Sequence, residues 1–382
     1  MVEKSVKILH VVGGVDHRGG LMSVVVGLAS ASSPQVHCLV WKHREFQPAP
    51  GPVHYVCGGL TRYPFRSLID DLLGSVREVL PLWAWVRRNP GAILHAHTRL
   101  GHFAGALVSR LTGAPLILHF HALSRRTWVY HGLRRWARAE VVFNSRKTYE
   151  CLGWRLDAPL IVMPPITWPT APPLRSSGPV RFVMAGAFVR LKNLHLVLEA
   201  FKRLAEDNPT IELLIYGISP AAMEPAYQGK MISAAKACER VTLAPYDPQW
   251  STHLTENDIF VHAAALESFG IVILEAFARG CRVVVPRGTF VDDLPDAHAR
   301  SVGVHRVEEL DVLGFSEAMK QAMQIQAPSD VLWKQRKSYE ELFSYETALE
   351  RLLPLYATLA QRGASNTARC DTGCKGSSPK SL

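Results

Sequence analysis

The stretch Glu267-Ser268-Phe269-Gly270-Ile271-Val272-Ile273-Leu274-Glu275, continued by Ala276-Phe277-Ala278-Arg279-Gly280, decides how this chain reads. Two carboxylates stand eight residues apart, one just before a Ser-Phe-Gly turn and one inside an apolar run. Eight residues is a little over two helical turns, so a helix starting near Gly270 carries Glu275 on its first or second turn. The first amides of a helix lack partners within it, and the positive end of its dipole adds to them, so the same place suits a phosphate. Two acceptors for hydroxyls beside an anion site suit a nucleotide sugar.

Outward from that stretch, strands and helices alternate. Short β-branched runs at residues 6–12, 36–41, 93–97, 115–121 and 141–145 read as strands. Between them, residues 21–31, 67–88 and 101–111 have helical apolar spacing. Residues 163–179 (MPPITWPTAPPLRSSGP) are dense in proline and lack periodicity, which reads as an interdomain linker. The pattern then restarts, with strands at 180–184, 211–216, 241–243, 259–262 and 282–286 and helices at 194–207 and 270–279. Such alternation indicates α/β architecture with parallel sheets. Two doubly wound sheets place their ligands at the carboxyl ends of the strands. The expected domains are 1–172, 173–342, a helix over 343–362 and a disordered tail over 363–382, rich in Ser, Gly, Thr and Lys.

Composition agrees. A chain of 382 residues, 48% hydrophobic and 20% charged, suits two globular domains. No apolar run is long enough for a membrane span, and the start reads as a strand rather than a signal peptide. Seven scattered cysteines argue against a disulfide framework and for a reducing, cytoplasmic compartment. Charge is uneven: residues 1–173 hold 20 basic against 9 acidic side chains, while the remaining 23 and 24 nearly cancel. The first half therefore suits an anionic partner, whether lipid surface, pyrophosphate-linked lipid or nucleic acid. Arginines interleave with Tyr63, Phe65, Trp83 and Trp85, and again with Trp128, Tyr130 and Trp136. Such stretches suit the headgroup region of an anionic membrane, and no nucleic-acid motif accompanies them.

Here the residues point to a family. Glu267-Ser-Phe-Gly, four apolar positions, then Glu275-Ala-Phe-Ala-Arg-Gly280 resembles the motif of the retaining glycosyltransferases of family 4. The resemblance covers about residues 5 to 360. It implies the GT-B fold, two facing Rossmann-like doubly wound domains with a C-terminal helix crossing back. It also implies a nucleotide-sugar donor (UDP- or GDP-sugar) as substrate, no cofactor, and a glycan or lipid-linked acceptor, in cell-surface polysaccharide or glycolipid synthesis. Carried across, Glu275 binds the ribose hydroxyls, Glu267 contacts the donor sugar, and the backbone N–H groups around Ser268, Phe269, Gly270 and Ile271 hold sugar and diphosphate. In the loop Gly186-Ala-Phe-Val-Arg190-Leu-Lys192-Asn193, Lys192 matches the cation that neutralises the leaving diphosphate. Ala187 stands where the family has Arg, Asn193 where it has Gly, and Arg190 is the substitute cation. His121 matches a histidine close to the donor sugar, although Ala122 replaces the usual Gly. Gly19 and Gly20 open the first helix and let backbone approach a phosphate or acceptor, without the acid that the family places after such a pair.

His95-Ala-His97 and His119-Phe-His121 each end a strand, and alternation puts the members of each pair on one face. Such pairs are possible metal ligands, but no acidic cluster accompanies them and no metal site is expected. The absence of an Asp-x-Asp pair fits the family's metal-independent habit. Two other readings stay open: a GT-B binding protein without turnover, suggested by Ala187, and a sugar-nucleotide epimerase or hydrolase.

Overall fold

The computed structural model describes all residues except 1–5, 13–19, 32–35, 43–53, 58–67, 125, 175–176, 220–222, 265, 294–302, 325–328 and 374–382. The chain divides into two compact units, Met1–Pro165 with Tyr345–Leu382, and Ile166–Ser344.

Unit 1 is built on β1 (Val6–Val11), β2 (Val36–Lys42), β3 (His54–Cys57), β4 (Ile93–Ala96), β5 (Leu116–Phe120), β6 (Glu140–Phe143) and β7 (Leu160–Ile161). These lie side by side in the order β3-β2-β1-β4-β5-β6-β7, every pair parallel. Strands β4 and β5 are buried along their whole length, as strands covered on both faces must be. The helices include α1 (Gly20–Ser30), α2 (Leu68–Arg88), α3 (Arg99–Thr112), α4 (Thr127–Ala137) and α5 (Arg146–Cys151). Thr98 caps α3 by accepting from Gly101 N at 3.1 Å, and Gly113 ends it in the left-handed region.

Unit 2 holds β8 (Arg181–Ala185), β9 (Glu212–Ile218), β10 (Val241–Pro245), β11 (Asp258–Val261), β12 (Arg282–Pro286) and β13 (Val304–Val307). Their order is β10-β9-β8-β11-β12-β13, again all parallel. Among the described residues the helices are α6 (Leu194–Asp207), α7 (Pro225–Lys236), α8 (Ile271–Ala278), α9 (Val312–Gln324) and α10 (Ser329–Arg336). The sheet grows outward in opposite directions from β8 and β11, so the chain's switch point lies between those two strands. Ligands of doubly wound sheets bind at the carboxyl ends flanking such a point. At the opposite end, Arg181 donates to both oxygens of Asp258 at 2.9 and 2.8 Å and pins β8 to β11.

The proline-rich segment is not a free linker along its length. Ile166 N donates to Phe343 O at 3.0 Å, Trp168 is buried, and Leu174 bridges to Thr255, so unit 2 begins inside it. The last helix, α11 (Tyr345–Gly373), packs on α1, β1 and β4 of unit 1. It continues to Gly373 through the segment read as the start of a tail, where Ala364, Ala368 and Arg369 favour helix. Helices α7, α9 and α10 and strand β13 carry no signal in the sequence reading.

Candidate functional site

The site in unit 2 forms where the loops after β8 and β11 meet. After β8 the chain turns at Gly186, runs through a short 3-10 turn at Arg190–Lys192 and enters α6. The turn ends at Asn193 with φ +49°, a left-handed conformation that Asn tolerates better than most residues. The departure from Gly at this position is therefore conservative in backbone terms. Asn193 Nδ2 also donates to Ala263 O at 3.0 Å, tying this loop to the segment after β11.

Across the switch point, Lys192 Nζ lies 2.6 Å from Glu267 Oε2. His262, at the carboxyl end of β11, places Nε2 3.2 Å from the same oxygen. That approach is oblique: neither ring nitrogen of the buried His262 has a hydrogen-bond partner. Burial by itself would raise the Glu267 carboxyl, yet His262 and the Lys192 ammonium overcome it and hold the group at about 2. Burial lowers His262 in turn, with Glu267 acting in the opposite direction. Glu267 is thus a fixed anion paired with the partly buried Lys192 ammonium.

Helix α8 follows. Gly270 precedes it at φ +96°, and a Cβ there would meet Ile273 Cδ1 at 2.6 Å, so glycine is required. The first bonds inside the helix run from Ile273 and Leu274 to Gly270 O, and the amides of Ile271 and Val272 precede them. The Phe269 side chain is buried. It stacks on Phe290 at 5.2 Å and meets Phe343 edge-on, so its part is to anchor the loop. Ser268 is half-buried beside Glu267 in the chain. The far end of α8 is held by Arg336, fully buried, which donates to Phe277 O and Cys281 O and lies over the Phe277 ring at 4.2 Å.

Glu275, on the second turn of α8, accepts from Trp250 Nε1 at 2.9 Å. The residue is half-buried, and burial pushes its carboxyl up to about 7, against the pull of the indole N–H. Trp250, buried between Tyr216 and Phe260, has no signal in the sequence, and neither does His262 beyond its place at a strand end.

The structure does not bring Arg190 to this pair. Its side chain is exposed, 3.7 Å from Glu224 Oε2 and over the Tyr227 ring. Being two residues earlier in a turn points it away from Lys192, so it is not positioned as the substitute cation. A Cβ on Gly217 would strike Gly186 O, so packing requires glycine at Gly217, whereas a Cβ on Gly186 would meet nothing within 4 Å. In unit 1, Gly20 is the exposed first residue of α1, while Gly19 lies outside the described residues.

The carboxyl ends of β1, β4 and β5 in unit 1 carry a second cluster. His10 and His95 are register partners, and alternation adds His97, His119 and His121 to the same layer. His10 Nδ1 lies 2.8 Å from His97 Nε2, and His97 Nδ1 lies 2.9 Å from His121 Nε2. His95 Nε2 lies 3.2 Å from His119 Nδ1, and His95 Nδ1 lies 2.8 Å from Tyr356 Oη on α11. Burial holds all five rings neutral, His10 and His121 at about 3 and the other three well below the usual value. No local pattern in the sequence marks His10 or Tyr356 as members of this layer. His121 Nε2 is engaged by His97.

Comparison with known proteins fits the unit 2 site. Residues 171–338 match the family described as glycosyl transferases group 1. The D-inositol 3-phosphate glycosyltransferase of Pseudarthrobacter chlorophenolicus is 26% identical over 294 residues, 68% of this chain and 67% of the relative. The enzyme of the same description from Arthrobacter sp. (strain FB24) is 25% identical over 72% of this chain and 75% of its own length. Among solved structures, Anabaena HepE in complex with UDP and glucose superposes with a TM-score of 0.69 at 17% identity, covering 92% of this chain and 99% of that one. Sucrose-phosphate synthase from Thermosynechococcus elongatus gives 0.70 at 16% identity, covering 93% and 99%. These likenesses show the fold, which is GT-B, two Rossmann-like domains. The segment that matches the family described as glycosyl transferases group 1, residues 171–338, contains the Lys192–Glu267 pair and helix α8.

Proposed function

We propose that the chain transfers a sugar from a nucleotide-diphosphate donor to an acceptor hydroxyl, with retention at the anomeric carbon. The observation that carries this reading is the convergence of Lys192, Glu267 and the start of α8 at the switch point of unit 2. Glu275 takes the ribose hydroxyls. The amides ahead of Ile273, with Lys192, take the diphosphate and stabilise the charge that grows on it as the glycosidic bond breaks. Glu267, held as an anion, positions Lys192 in the empty site and faces the donor sugar when the site is filled. The leaving phosphate is neutralised by these groups without a bound Mg²⁺. His121, its Nε2 occupied by His97, has no part in this step.

The acceptor we read as a glycan or lipid-linked sugar, with the chain working at the inner face of an anionic membrane. Support comes from α2, whose exposed face carries Leu73, Val76, Leu80 and Trp83 beside Arg77, Arg87 and Arg88. Its buried face instead holds Glu78, which accepts from Trp41 Nε1 at 2.8 Å. A helix with its apolar stripe turned to solvent and arginines at the rim fits an interfacial surface. Among the described residues no helix is long and apolar enough to cross a membrane.

A thermal-shift screen of UDP-, GDP- and ADP-sugars, followed by product analysis with and without acceptors, tests the reading. One donor should raise Tm and yield an α-linked product from an α-linked donor. Ala187 and the diverted Arg190 favour one rival, a relative that binds without turnover. Tight donor binding with no transfer to any acceptor would establish it, and free or epimerised sugar from donor alone would establish a hydrolase or epimerase.

A further inference from the structure

The buried histidine cluster of unit 1 is not used by that chemistry, and its geometry is specific. His119 and His121 stand two apart at the end of β5 with ring centroids 4.0 Å apart, and His97 reaches them from the neighbouring β4. One nitrogen from each of the three lies within 4.8 Å of the others. We infer that His97, His119 and His121 form a binding site for a divalent first-row transition ion of the zinc class, through Nδ1 of His97 and Nε2 of His119 and His121.

The hydrogen bonds around the three rings select these atoms. His97 Nε2 is held by His10 Nδ1, and His119 Nδ1 is held by His95 Nε2, which is fixed in turn by Tyr356 through Nδ1. Metal-bound imidazoles have their distal nitrogen oriented in this way by an outer partner. What remains on His119 is Nε2, a buried nitrogen with no hydrogen-bond partner. What remains on His97 is Nδ1, 2.9 Å from His121 Nε2. If His97 donates from Nε2 to His10, its Nδ1 turns a bare lone pair towards His121. A cation between the rings joins the lone pairs instead of opposing them. Bonds of about 2.0–2.1 Å in a tetrahedron put ligand nitrogens roughly 3.4 Å apart, so the rings need to part by about 0.5 Å.

The other candidate trio, His10, His95 and His97, is fully buried and would sacrifice the His10–His97 bond. His121 is half-buried, so the chosen trio is the one with a member near solvent, from which a fourth ligand would come. The lack of acidic neighbours, which argues against a metal in the sequence, is no obstacle to a three-histidine site whose fourth ligand is water, hydroxide or another anion. The ion belongs to unit 1 and does not replace Lys192 in neutralising a leaving phosphate.

The experiment uses the full chain without a histidine tag, stripped by a chelator and titrated with Zn²⁺ and Co²⁺. One equivalent should bind per chain, with Co²⁺ developing the visible absorption of a tetrahedral nitrogen site. His119→Asn keeps a donor towards His95, and His97→Gln keeps one towards His10, while each removes a ligand nitrogen. Both should weaken binding at least tenfold with far-UV circular dichroism unchanged. His121→Ala, at the half-buried position, should do the same and decides the matter if a buried variant fails to fold. No stoichiometric uptake by the wild type, or uptake unchanged by His121→Ala, overturns the inference and leaves a hydrogen-bonded chain of neutral imidazoles.

Discussion

Lys192 and Glu267 are 75 residues apart in sequence and 2.6 Å apart in space, because β8 and β11 are neighbours although two strands intervene along the chain. This pair gives the unit 2 loops their register on one another. On the proposed reading its two charges part on ligand binding: the ammonium gains a phosphate, whereas the carboxylate turns to another donor.

Removing the cation should therefore act on the transition state more than on the fold. Lys192→Ala is expected to lower kcat/KM by more than an order of magnitude, with thermal stability near that of the wild type. Steady-state kinetics with the donor found by the screen checks this. Unchanged kinetics would remove Lys192 from the leaving-group role.

Glu267 predicts a pH dependence of stability. Its folded value of about 2 lies below the ordinary 4.5. The contribution to stability is therefore complete above about pH 4.5 and is lost as pH falls through about 2. Urea midpoints between those limits should fall more steeply for the wild type than for Glu267→Gln. Parallel curves would contradict the pairing.

Glu275 has the opposite sign. Its folded value of about 7 lies above 4.5, so its ionisation penalises the fold. That penalty is absent below about pH 4.5 and complete above about pH 7. Ribose hydroxyls favour the ionised form, so donor binding near pH 6 should release protons. Calorimetry in two buffers of different ionisation enthalpy measures that release, which Glu275→Gln should abolish.

At the backbone, Asn193 and Gly270 should respond differently to alanine and glycine. Asn193→Ala forces an ordinary side chain into φ +49° and is expected to cost about 1–2 kcal/mol, while Asn193→Gly relieves the strain and gives up only the bond to Ala263. Gly270→Ala meets Ile273 and should impair donor binding as well as stability, since it displaces the start of α8. Denaturant titrations and donor affinity together separate the two.

The α2 surface is tested with anionic and neutral vesicles. The wild type should sediment with the anionic ones, and Leu80→Glu with Trp83→Glu should reduce that several-fold without altering circular dichroism. Equal partition of the variant would detach the membrane proposal from α2.

Much of the fold was legible because β-branched runs and proline or glycine boundaries are local signals. The positions of Glu267, Glu275 and Lys192 came from one turn-and-helix pattern and one loop. What the sequence concealed is long-range. Trp250 reaches Glu275 across the sheet, and His10 and Tyr356 complete the histidine layer from β1 and α11. Arg190 stands three residues from Ala187, where the family has Arg, but a 3-10 turn leaves it beside Glu224. Phe269 sits inside the ligand motif, yet packing among Phe290 and Phe343 claims its side chain.

The most direct measurement is a crystal structure of the chain with the nucleoside diphosphate of its donor. The account predicts the ribose within hydrogen-bond distance of the Glu275 carboxylate, and the diphosphate on Lys192 and the amides that open α8. A nucleotide bound at another place on unit 2, or on unit 1, would contradict it.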